Sequence, residues 1–263
     1  MTKRIKRHSQ FELQLEILDD AFLDTPRDAQ RNWFLNRIVK ETSDELLHLD
    51  STTNSMVRGS DSTVALDRAQ TQLDDIDIME DWQIPIMEAM ANAVTKPGHH
   101  ILEVGMGRGI ASEYIQAKSP ASHTIIECND AISDTFAQWQ AQFSGSDISL
   151  IHALWQDALP KLLHYDGILF HTYPLSDEEF VETVVKDVTF AAHFMPVAAA
   201  HLNPGGAFTY LTNESDSLSR AHQRELFKYF TTFTLSRVTD LPIPEDTRDA
   251  MWSKQMVIVK AIK

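Results

Sequence analysis

A chain of 263 residues, 43% apolar and with Gly 9 and Pro 10, has the make-up of a globular protein: one large domain, or a domain with an appendage. Its formal net charge of −15 speaks against sequence-independent nucleic-acid binding, which needs Lys and Arg to neutralise phosphates. Cys128 is the only cysteine, so no intramolecular disulfide and no cysteine-rich metal site is expected. No apolar run approaches the roughly 18 residues of a membrane span. The basic start Thr2-Lys3-Arg4-Ile5-Lys6-Arg7 runs on into Gln10, Glu12 and Glu16, without the apolar core of a secretory signal. The expectation is a cytoplasmic protein with no membrane partner.

Residues 1–75 differ in character from the rest. Phe11, Leu15, Leu18 and Phe22 recur at helical spacing. Thr25-Pro26 reads as an N-cap followed by proline at the first helical position, opening a second helix with Trp33, Phe34, Ile38 and Val39 on its apolar face. These faces are expected to pack over the mouth of a site or against a second subunit, giving a homodimer. The polar, turn-rich stretch from Asp50 to Ser62 reads as a loop, either a linker or a lid.

From residue 76 to 263 strands and helices alternate. A helix over Ile86–Ala93 leads into Ile101-Leu102-Glu103-Val104, a buried strand closing on Gly105-Met106-Gly107-Arg108-Gly109. The glycines let the chain bend and let a ligand approach where a Cβ would clash. A dinucleotide fingerprint wants G-x-G-x-x-G, but Ile110 stands where its third glycine belongs. A second strand, Thr124-Ile125-Ile126-Glu127, ends in an acid roughly 20 residues after the turn, where a carboxylate can accept both ribose hydroxyls of an adenosine-bearing cofactor. Further on come a helix over 131–143 and a strand at Ile148–Ile151. A strand at Tyr165–Phe170 precedes a long helix from Ser176 to Leu202, with Glu179 as capping-box partner of Ser176. Asn203-Pro204-Gly205-Gly206 then turns into a strand over Ala207–Leu211, and 233–240 and 255–261 suit an antiparallel pair at the sheet edge. The alternation predicts an α/β fold: a three-layer, Rossmann-like sandwich on a mostly parallel sheet, with helices added at the N-terminus.

The pattern E-x-G-x-G-x-G over Glu103–Gly109 resembles motif I of class I S-adenosylmethionine (SAM) methyltransferases. The strings Met79-Glu80-Asp81-Trp82-Gln83-Ile84-Pro85-Ile86-Met87, Ile125-Ile126-Glu127-Cys128-Asn129-Asp130, Leu154-Trp155 and Thr172-Tyr173-Pro174-Leu175 resemble guanidinoacetate N-methyltransferase from about residue 79 onward. The resemblance implies SAM as cofactor. Met79 and Met87 would wall it, and Glu103, Val104, Gly105, Met106 and Gly107 would pass its methionine part. Glu127, Cys128 and Asn129 would hold the ribose side, with Leu154 and Trp155 flanking the adenine.

Acceptor recognition departs from that family. It grips a guanidinium with a Glu in W-E-x-P and an Asp in D-T-Y-P-L, where this chain has Gln83 and His171. A planar cation wants carboxylates for bidentate, charge-assisted bonds, worth roughly 1.5–3 kcal/mol each, so guanidinoacetate is not expected to be the substrate. The family's L-T-S stretch aligns with Asn213-Glu214-Ser215, and Glu214 is expected to pair with His171 as an oriented general base. Trp82, Gln83, His171, Tyr173, Glu214 and Ser215 form the expected acceptor site. A neutral amide and an imidazole in place of two acids favour a small-molecule partner, O-methylated at a carboxylate or phenol. Alternatives are N- or C-methylation of a heteroaromatic such as indole with His171 as base, and a non-catalytic SAM-binding subunit.

Overall fold

The central strands form because their sequences carry β-branched and apolar runs, which a sheet covered on both faces buries. The computed structural model describes residues 79, 81–172, 174, 179, 183, 187–212, 214, 217–243 and 253–263. The helices, lid and subunit contact expected of residues 1–75 lie outside the described residues, as do Tyr173, Ser176 and Ser215.

In chain order the elements are α1 (Ile84–Val94), β1 (His100–Val104), α2 (Ile110–Gln116), β2 (Ser122–Glu127), α3 (Asp130–Gln140), β3 (Ile148–His152) and α4 (Trp155–Ala158). They continue with β4 (Tyr165–Phe170), α5 (Met195–His201), β5 (Leu202–Leu211), α6 (Arg220–Leu226), β6 (Thr232–Val238) and β7 (Met256–Ile262). The strands make one sheet in the order β3-β2-β1-β4-β5-β7-β6. The first five are parallel, and β7 pairs antiparallel with both β5 and β6. The expected antiparallel pair is therefore present with β7 inside and β6 at the edge.

Alternation along the strands sorts the core into two layers. Leu102, Val104, Ile168, Phe170, Phe208 and Tyr210 pack towards α5 and α6. Ile101 and Leu169 pack towards α1 and α2, and Ile125 and Ile148 towards α3. The register Val104↔Phe170 and Phe170↔Tyr210 brings the carboxyl ends of β1, β4 and β5 level.

One expected element is corrected. In place of a single helix from Ser176 to Leu202, the described part of that segment is extended at Thr189 and makes a 3-10 turn over Phe190–His193. After that turn it is α-helical from Met195, with Pro196 in the first turn. Proline has no N–H to give the preceding turn, so it starts a helix better than it continues one. Strand β5 also begins five residues before Ala207. The register jumps from Tyr165↔Leu202 to Gly167↔Ala207, and Gly205 absorbs the bulge at φ 78°.

Candidate functional site

Strand β1 ends at Val104, and the backbone of His171 crosses directly above it: His171 N donates to Val104 O at 2.9 Å. Gly105 takes φ 90°, and a Cβ there would stand 2.1 Å from the His171 carbonyl oxygen. No side chain fits between the two strand ends, which is the physical requirement behind the first glycine of the turn.

Beside this crossing lies a cleft at the carboxyl ends of β1 to β4, about 390 Å³ when the open solvent at its mouth is included. The exits of β1 and β2 contribute Val104, Gly105, Ile126, Glu127 and Cys128, and the exit of β3 contributes Ala153, Leu154, Trp155 and Gln156. Thr172, Glu179 and Phe190 complete the wall. Glu127 is 7% exposed, and backbone amides engage both of its oxygens. Oε2 accepts from Met106 N at 2.9 Å and Gly107 N at 3.2 Å; Oε1 accepts from Cys128 N at 2.7 Å and Asn129 N at 2.8 Å. A buried carboxylate is tolerable only with such partners. The lining suits an adenosyl group: an aromatic and an aliphatic side chain for a base, a fixed carboxylate for a ribose diol, and open backbone at Gly105.

Of the residues singled out from sequence, Val104, Gly105, Glu127, Cys128, Leu154 and Trp155 share this cavity. Met79, Trp82 and Met87 are buried in the apolar layer around α1, and Gln83 is buried at the end of the 3-10 turn preceding it. Met106 packs with Phe136 and Trp139. Asn129 caps α3, its side chain accepting from Ile132 N at 3.2 Å, and Gly107 meets the site through its amide.

Two placements are corrected. Glu103 does not reach the cavity. It is fully buried towards α2, its Oε2 accepting from Ser112 Oγ at 2.6 Å, because strand alternation turns it away from Val104's side. Glu214 does not pair with His171. Its carboxylate accepts from Ser219 N at 2.9 Å and lies 3.1 Å from His222 Nδ1, while His222 Nε2 lies 2.6 Å from the Tyr210 hydroxyl. The first turn of α6, capped by Ser219, brings in an imidazole that β-strand order alone did not reveal.

His171 is half-buried by surface, yet enough protein surrounds it that desolvation lowers its pKa to about 4. It is neutral at physiological pH. Thr172 on the cavity wall was quoted only within the Thr172–Leu175 string, and Glu179 and Phe190 were not singled out as site residues; Glu179 read as a helix cap. Their arrival depends on how the chain after β4 returns to the sheet, for which no local signal exists. Among the described residues no group of three or more His, Cys, Asp and Glu side chains could hold a metal, and no helix is long and apolar enough to cross a membrane.

The strand order, the glycine turn and the acid closing β2 define a Rossmann-like, SAM-dependent methyltransferase. The chain belongs to the guanidinoacetate N-methyltransferase family, which matches residues 50–250. It is also similar to protein arginine N-methyltransferase 2 of Emericella nidulans, at 32% identity over 52% of this chain and 33% of the relative. The Aspergillus oryzae protein of that name is 32% identical over 52% of this chain and 34% of its own length. The chain thus spans about a third of the length of these curated relatives. Precorrin-6y C5,15-methyltransferase from Geobacter metallireducens superposes with a TM-score of 0.48 at 11% identity, over 67% of this chain and 86% of that one. The expected small-molecule partner is corrected by these relatives, whose shared name puts the methyl acceptor on a protein.

Proposed function

We propose that this SAM-dependent methyltransferase modifies a side-chain nitrogen in a protein substrate, with arginine, the residue in the relatives' name, as acceptor. The relatives' shared name carries this reading, and the site residue that bears on it is His171, just beyond β4. It stands where the family resemblance places an aspartate, and burial keeps it uncharged down to about pH 4. A neutral imidazole adds no positive charge beside a guanidinium, and its lone pair can accept an N–H.

The missing carboxylates weaken the grip on a free guanidine by roughly 1.5–3 kcal/mol per charged hydrogen bond. A protein substrate can make up that loss through contacts remote from the reacting nitrogen, which a molecule the size of guanidinoacetate does not have. The net charge of −15 favours the approach of a basic protein.

When bound, SAM supplies an electrophilic methyl carbon on a sulfonium. The chain's residues hold and orient. Glu127 would accept the ribose hydroxyls, Leu154 and Trp155 would flank the adenine, and Gly105 would leave room for the amino-acid half. Alignment of the reacting atoms is where such a protein gains most of its rate.

The test is incubation with methyl-labelled SAM and an extract of cells lacking the protein, in parallel with guanidinoacetate and free arginine. Acid-precipitable label that hydrolysis releases as methylarginine is expected, with guanidinoacetate at background. Label confined to small molecules, or recovered on another amino acid, would overturn the reading.

A further inference from the structure

Four buried polar side chains sit behind the glycine turn, on the α2 face of the sheet: Glu103 on β1, His123 on β2, and Ser112 and Gln116 on α2. Ser112 Oγ donates to Glu103 Oε2 at 2.6 Å. His123 Nε2 lies 2.9 Å from the same oxygen, and His123 Nδ1 lies 3.0 Å from Gln116 Nε2. An amide nitrogen can only donate, so Nδ1 is an acceptor and Nε2 carries the proton that faces Glu103. That proton approaches off the axis of an aligned hydrogen bond, and Glu103 Oε1 has no hydrogen-bond partner among the described residues. The Ser112 bond is therefore the strong member of the set.

Burying a carboxylate this way adds little to stability, since an apolar group of the same size does as well or better. What the bond fixes is geometry. Glu103 stands two residues before Gly105 and Ser112 three residues after Gly109, so the 2.6 Å contact ties the two ends of the turn together. The turn in turn carries the amides of Met106 and Gly107 that meet Glu127.

We propose that Ser112, acting through Glu103, is a positioning residue for the amino-acid half of SAM. The inference rests on the placement of the cofactor given above. The adenosine half would lie against Glu127, Cys128, Leu154 and Trp155, at the exits of β2 and β3 and the start of α4; of these Glu127 alone meets the turn, and its Oε1 keeps the amides of Cys128 and Asn129 whatever path the turn takes. The amino-acid half passes the Gly105–Gly109 turn, whose path that bond holds.

Calorimetry with S-adenosylhomocysteine and with 5′-methylthioadenosine, which lacks the amino-acid group, separates the two halves. For Ser112→Ala, S-adenosylhomocysteine should bind about tenfold more weakly, within the range by which residues that do not touch a ligand modulate its binding, while methylthioadenosine stays within about twofold. Unchanged S-adenosylhomocysteine affinity, or an equal loss for both ligands, would overturn the inference, whether or not the melting temperature falls. Wild-type protein that binds neither ligand would instead remove the cofactor placement on which it rests.

Discussion

At the scale of single residues, the roles proposed for Glu127 and His171 each make a separate prediction. Glu127→Ala removes the acceptor for the ribose and the partner of four backbone amides. Calorimetry should show S-adenosylhomocysteine binding at least about 100-fold weaker, since hydrogen bonds to a charged group are worth roughly 1.5–3 kcal/mol each; unchanged affinity would place the ribose elsewhere. For His171, depression of the pKa from 6.5 to about 4 moves its titration out of the neutral range. Methyl transfer should show no inflection from this group near pH 6.5, and activity assigned to it should fall only towards pH 4. The same shift acts on stability. Below pH 6.5 the unfolded chain takes up a proton that the folded chain refuses, so this contribution is intact above pH 6.5 and is lost as pH falls towards 4. Melting curves of wild type and His171→Asn should converge or cross over that interval; parallel curves would show that the ring is not desolvated. Glu127 was legible in sequence because strand-turn-acid spacing is local. The pKa of His171 was not, because it depends on everything packed around the ring.

At the scale of elements, the connection from β5 to α6 is held by the chain Tyr210–His222–Glu214. Burial, and then the nearby Glu214, push the Tyr210 phenol well above its usual pKa, so it stays protonated and donates to His222 Nε2. Nδ1–H then faces the Glu214 carboxylate. Replacing His222 by Ala leaves the buried Tyr210 hydroxyl without a partner, at roughly 1–3 kcal/mol, and removes the ring's packing and one of the partners of Glu214, whereas Tyr210→Phe leaves only His222 Nε2 unmet and should cost less. Denaturant titration should rank them in that order; equal midpoints would show that the three groups do not act as a unit. The sequence made Glu214 conspicuous but attached it to the wrong histidine. A residue near a strand end has several imidazoles within reach in principle, and the N-terminal turn of α6, capped by Ser219, selects His222.

At the scale of the molecule, a net charge of −15 sets a field whose reach falls with salt, the screening length being roughly 10 Å at 0.1 M. If the acceptor is a basic protein, kcat/KM should decline steadily with ionic strength while the affinity for S-adenosylhomocysteine changes little. A flat profile would argue for an acceptor without excess positive charge. The sequence by itself determined the order of strands and helices, the glycine turn, the acid closing β2 and the loss of two carboxylates at Gln83 and His171. All of these are properties of residues close together along the chain, where periodicity and turn chemistry act. The tertiary structure alone decided that Glu103 faces Ser112 rather than the cavity, that Glu214 joins His222, and that Thr172, Glu179 and Phe190 wall the site. Those pairings join residues from different elements, and which ones meet depends on strand register, on the face each side chain takes, and on the path by which the chain after β4 returns to the sheet.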